Sequence, residues 1–104
     1  MVGQLDKIRE AVANVAKANG ASLAILFGSY ARGTATKRSD VDLIFVEETD
    51  LPFLKRLDKY IGPLVDMIGM SVEALVYTPE EFQQMKDRSF IKRALKEGVV
   101  IYER

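Results

Sequence analysis

Residues 22–46 read SLAILFGSYARGTATKRSDVDLIFV, and their layout decides the fold. Ser22–Phe27 is a short apolar run of strand length, and Val41–Val46 is a second. Between them lies a 13-residue polar connector, Gly28 through Asp40, with glycines at 28 and 33. It holds little that favours a helix beyond one turn at Tyr30–Arg32, so no helical crossover links the two runs. The spacing therefore predicts antiparallel neighbours, with the end of the first strand meeting the start of the second.

Upstream, Leu5, Ile8, Val12 and Val15 form one apolar stripe of a helix from about Gln4 to Ala18, ended by Asn19-Gly20. The charged N-terminal stretch lacks the apolar core and cleavage site of a signal peptide. Downstream, Asp50 and Pro52 predict a capped helix with Leu51, Leu54, Leu57 and Ile61 on its buried face. Gly62-Pro63 is expected to break or kink it before a weaker continuation to Ile68. Ser71–Tyr77 is a third strand, reached by this crossover and so parallel to the second. Thr78-Pro79-Glu80-Glu81 carries a cap, a proline at the first helical position and the glutamate of a capping box. Phe82 and Met85 should face inward from that helix. A last helix near Phe90–Lys96 stops at Gly98, and Val99–Tyr102 is a fourth strand. Met67, Met70 and Met85 read as core filler. The expected class is α/β (α+β), a small sheet of about four strands in one domain covering residues 1–104.

The 104 residues hold 15 Lys and Arg against 15 Asp and Glu, with no His and no Cys. That excludes a disulfide framework, thiolate or imidazole metal sites, and Ser-His or Cys-His catalysis. A metal here must be held by oxygen, which points to Mg²⁺, Mn²⁺ or Ca²⁺. A net charge of zero speaks against stable binding of nucleic acid. No stretch approaches the ~20 apolar residues of a membrane span, so the expected compartment is the cytoplasm. The charge is unevenly spread: +4 over residues 1–38, −7 over 39–81 and +3 over 82–104. The middle third is where a cation would go.

Three features converge at one edge of this sheet. Gly28-Ser29 follows the first strand, Asp40-Val41-Asp42 opens the second after ten intervening residues, and Glu73 lies near the start of the third. Asp40 and Asp42 are two apart, so they share one side of an extended strand. Close carboxylates raise each other's pKa unless a cation neutralises them, and Mg²⁺ suits one or two carboxylates plus substrate phosphates. Gly28 lets a phosphate approach the backbone, and Ser29 offers a hydroxyl and an N–H at a turn.

A turn alone would explain Gly28-Ser29, and an Asx-type turn would explain Ser39-Asp40. Asp42 is harder to explain as packing, since a carboxylate within an apolar strand is costly unless paired or at an open end. Arg32, Lys37 and Arg38 are either phosphate ligands or a solvated loop. Tyr30, Tyr77 and Tyr102 either stack on a base or pack. Glu47 and Glu48 are poor third carboxylates, because five strand residues put Glu47 about 17 Å from Asp42. Asp66 is a remote alternative. The phosphate-loop pattern fails at Thr34, where a lysine is required, and a calcium-loop pattern fails at Ile44 and Phe45.

Gly28-Ser29-Tyr30-Ala31-Arg32-Gly33 followed by Ser39-Asp40-Val41-Asp42-Leu43 resembles the G-S-x10-D-x-D signature of the DNA polymerase β-like nucleotidyltransferases. Within that superfamily it is most similar to the minimal nucleotidyltransferase (MNT) group, and the likeness extends over VEALVYTPEEF, residues 72–82. The resemblance implies a mixed sheet with helices packed largely on one face. It implies transfer of AMP from ATP, with two Mg²⁺ (or Mn²⁺) ions on Asp40, Asp42 and Glu73. Gly28, Ser29, Arg32 and Arg38 would hold the triphosphate. Glu73 departs from the pattern, since many relatives carry Asp there; it is either the third metal ligand and base or a solvent-facing strand residue. The same group implies an antitoxin whose acceptor is a tyrosine of a HEPN-domain RNase toxin, in a homodimer or a hetero-oligomer. The alternatives are an antitoxin that neutralises by contact alone, and transfer to a small molecule such as an aminoglycoside.

Overall fold

The computed structural model describes residues 3–104. In chain order it forms α1 (Gln4–Asn19), β1 (Leu23–Phe27), α2 (Gly28–Arg32), β2 (Val41–Val46), α3 (Asp58–Ile68), β3 (Val72–Tyr77), α4 (Pro79–Met85), α5 (Ser89–Glu97) and β4 (Val99–Glu103). The connector does pair its flanking strands antiparallel, with Phe27 opposite Asp42 and Leu23 opposite Val46. β3 lies parallel to β2, and β4 pairs antiparallel with β1, so the sheet order is β3-β2-β1-β4.

The two long helices, α1 and α3, cover one face. Ile8, Val12, Leu26, Leu43, Phe45 and Leu64 are among the fully buried side chains there. Strand alternation sends Ile25, Ile44 and Tyr77 to the other face, where Ile91 and Ala94 of α5 meet them and Phe82 and Met85 pack at the margin. The capping box of α4 forms as expected, Thr78 and Glu81 each accepting from the other's backbone N–H. α1 ends on Gly20 in the left-handed conformation, φ 76°.

The segment after β2 departs from expectation. Asp50 caps nothing. Pro52 precedes a tight 3-10 turn at Phe53–Leu57, and α3 starts only at Asp58. Leu51 and Leu54 are exposed, whereas Arg56 is buried. Its guanidinium donates to the carbonyls of Leu51 and Val76 and forks onto the Glu81 carboxylate at 2.6 and 3.2 Å. Those partners outweigh an apolar spacing that reads as helical, because a buried guanidinium must have its N–H groups satisfied. Leu5 and Met67 are likewise exposed rather than in the core.

α3 also runs through Gly62-Pro63 instead of breaking there. Pro63 has no N–H, so the Lys59 carbonyl loses its helical donor. The Asn19 side-chain amide, at the end of α1, donates to that carbonyl at 2.9 Å. A tertiary contact thus replaces the bond that the sequence removes.

Candidate active site

Asp42 shares the α5 face of the sheet with Ile44, two residues further along β2, and Asp40 lies just before the strand, close enough for its charge to act on Asp42. At the open end of that face the apolar residues give way to Asp42, with Phe27 beside it on β1 and Glu73 level with it on β3. Gly28 begins α2 with φ 72°, and a Cβ placed there would coincide with the Asp42 carboxylate. Glycine is therefore needed twice, for the left-handed backbone and for the close approach.

Burial, the charge of Glu73, hydrogen bonding with Glu73 and the charge of Asp40 push the Asp42 carboxyl up to about 6, while Arg32 pulls it the other way. Among the described residues no ion pair joins a Lys or Arg to Asp40, Asp42 or Glu73. Nor do any three acidic side chains already surround one point at ligating distance. The three are neighbours at one end of the sheet, with no cation bonded to them and oxygen as the only donor. That donor set suits a hard divalent cation of the Mg²⁺ or Mn²⁺ kind.

Two clefts adjoin Asp42. One, of about 350 Å³, is lined by Gly28, Ser29, Arg32 and Asp42 together with Phe90, Arg93 and Glu97 of α5. The other, of about 600 Å³, opens on the β3 side past Glu73 and Leu75. Phe27 and Phe90, edge to face at 5.6 Å between centroids, border both. The polar cleft and the apolar one thus meet at a single carboxylate.

Of the residues singled out from sequence, Gly28, Ser29, Arg32, Asp42 and Glu73 line these clefts, and Asp40 acts on Asp42 through its charge. Arg38 and Lys37 lie in the exposed connector and line neither; the Arg38 N–H donates to the Thr36 hydroxyl. Tyr77 is buried, Tyr102 packs on the larger core, and Tyr30 packs there too, its hydroxyl 3.2 Å from the Met70 sulfur. Asp66 is exposed on α3. Phe90, Arg93 and Glu97 were not foreseen. Arg93 and Glu97 stand four apart on a helix, which sequence shows, but nothing local ties that helix to α2.

The chain is similar to several known proteins. A 37% identical relative, over 75% of each chain, is MJ0604 of Methanocaldococcus jannaschii, named as a candidate protein adenylyltransferase. A toxin–antitoxin crystal structure with AMP-PNP superposes with a TM-score of 0.70 at 18% identity, covering 92% of this chain and 73% of that one. An MNT antitoxin in complex with tri-AMPylated Shewanella oneidensis HEPN toxin gives a TM-score of 0.63 at 15% identity, covering 98% and 74%. At such identities the two structures share the fold. The sequence profile of the nucleotidyltransferase domain matches residues 5–101, nearly the whole chain. That match shows that this chain belongs to the nucleotidyltransferase family.

Proposed function

We propose that this nucleotidyltransferase transfers AMP from ATP to a tyrosine hydroxyl of a HEPN-domain toxin, as the antitoxin of a pair working in the cytoplasm, with residues 1–104 forming its catalytic domain. The observation that carries the reading is the juxtaposition of Asp42 and Glu73 with Gly28 and Ser29 across the sheet edge. The adenylyltransferase name of the relative and the AMPylated toxin beside the MNT neighbour support AMP and a protein acceptor.

Asp40, Asp42 and Glu73 would hold two Mg²⁺ ions, which neutralise the phosphates and acidify the acceptor hydroxyl when bound. Gly28 and Ser29 present the start of α2 to the triphosphate, and Arg32 adds a guanidinium on the same side. The acceptor enters from the apolar cleft, where Phe27, Leu75 and Phe90 exclude water from one flank. Its oxygen bonds to the α-phosphorus as the bond to pyrophosphate breaks in line. Glu73, exposed at the mouth of that cleft, takes the hydroxyl proton.

The test is transfer from α-labelled ATP with Mg²⁺, using a HEPN-domain protein encoded beside this chain as acceptor. Label on a tyrosine of that protein, lost in Asp42→Asn, is the expected result. An Asp40→Ala/Asp42→Ala double variant that still neutralises the toxin would mean inhibition by contact alone. Label on an added aminoglycoside without a protein partner would mean a small-molecule acceptor.

A further inference from the structure

In the polar cleft the Glu97 carboxylate sits between two guanidiniums. Its Oε2 accepts from Arg32 Nη1 at 3.4 Å, and its Oε1 lies 3.4 Å from Arg93 Nε, one turn earlier on α5. Both arginines are well exposed, and Glu97 is the acidic partner of each among the described residues. The elements that carry them are fixed. Ile91 and Ala94 are buried beneath the sheet, and a Cβ on Gly98 would collide with the Ala94 carbonyl and crowd that of Leu26. Backbone therefore packs on backbone where α5 ends, which holds Arg93 and Glu97 beside α2.

We propose that Arg93 is a triphosphate-binding residue, paired with Arg32, and that Glu97 is an internal anion occupying both guanidiniums until the β- and γ-phosphates displace it. This rests on the nucleotidyl-transfer reading above and adds to it a binding residue and an internal competitor for the triphosphate.

Several observations point this way. A carboxylate bridging two guanidiniums marks a preformed anion site, since Arg matches carboxylate and phosphate oxygens in the same forked geometry. Long contacts between exposed charges are weak and screened, so Glu97 is readily displaced. A nucleoside triphosphate brings its β- and γ-phosphates to the exchange, whereas a monophosphate has none to trade for Glu97. A cleft of about 350 Å³ is large enough for a phosphate tail. When pyrophosphate leaves, Glu97 returns to the arginines and disfavours its rebinding.

Calorimetric titration of ATP and AMP with Mg²⁺ into the full chain tests the proposal. Arg93→Ala should weaken ATP about tenfold, the scale of one charge-assisted contact, and leave AMP little changed. Arg93→Lys should recover part of that loss. Glu97→Gln should tighten ATP several-fold and leave AMP little changed, widening the preference for ATP, a change that loss of helix packing would not produce. ATP binding that is the same in wild type, Arg93→Ala and Glu97→Gln would overturn the proposal while leaving nucleotidyl transfer standing. Wild-type protein that takes up no ATP would overturn both.

Discussion

β2 carries a carboxylate near each end, and the two meet opposite fates. Glu47, just past its last residue, is almost wholly buried, yet it accepts from the Tyr60 hydroxyl and the Lys59 ammonium. Tyr60 stacks on Phe45 at 4.1 Å, and its own hydroxyl is pushed up by burial and by Glu47. Asp42, at the other end, is only half-buried, but its neighbours Glu73 and Asp40 add to its burden rather than relieve it. A charge that serves the fold is neutralised from within the chain. A charge left without a partner, at an open cleft, is reserved for something the chain must bind.

The contrast can be broken by substitution at either end. The largest effect is expected at Asp42: Asp42→Asn should lower single-turnover transfer by about 10²–10³-fold or more, while the unfolding midpoint in urea at neutral pH does not fall. Next comes Glu47→Ala, which strands a buried tyrosine hydroxyl and a half-buried ammonium. It should cost about 2–3 kcal/mol in urea unfolding. Activity per folded molecule should stay near wild type, since Glu47 lies about 17 Å from Asp42 and beyond the usual ~7–10 Å of coupling. A variant that folds well but loses transfer would mean that the two ends are not independent.

Gly28→Ala sharpens the same comparison. The left-handed backbone alone costs about 1–2 kcal/mol, and the new methyl must push the Asp42 carboxylate aside. Loss of transfer should therefore exceed what the stability loss explains, measured as rate per folded molecule.

The smallest effect is on pH dependence without divalent ions. The Asp42 carboxyl rises from 3.8 in the unfolded chain to about 6 in the folded one, so between those values the native state binds the extra proton. Its contribution to stability is fully present below 3.8 and is lost as pH rises through 6. After allowance for solvent screening this amounts to on the order of 1 kcal/mol. The difference in melting temperature between wild type and Asp42→Asn should shift in favour of wild type from pH 7.5 to pH 5. A difference that stays constant would mean that Asp42 is not strained in the free protein.

Local features were legible wherever their cause was local. The Thr78–Glu81 box formed because all its partners lie within four residues. The polar connector paired its flanking strands because it is too short and too polar to cross the sheet. The 51–61 segment misled because its leucines repeat with a helical period, while the deciding partners of Arg56 lie 20 and 25 residues away. Pro63 misled for the same reason: the amide that rescues its helix is 40 residues from Lys59 in sequence.

Sequence by itself determined that two carboxylates, Asp40 and Asp42, stand two apart where the second strand opens, and that a glycine-serine turn stands ready at the end of the preceding strand. Only the tertiary structure decided that Glu73 lies level with Asp42, and that Arg93 and Glu97 stand beside Arg32. The β2–β3 register depends on burying Val41, Leu43, Val72 and Ala74 together against the helices, and the position of α5 depends on Ile91 and Ala94 meeting the sheet. Both are settled by contacts between segments far apart in the chain, and no local pattern records them.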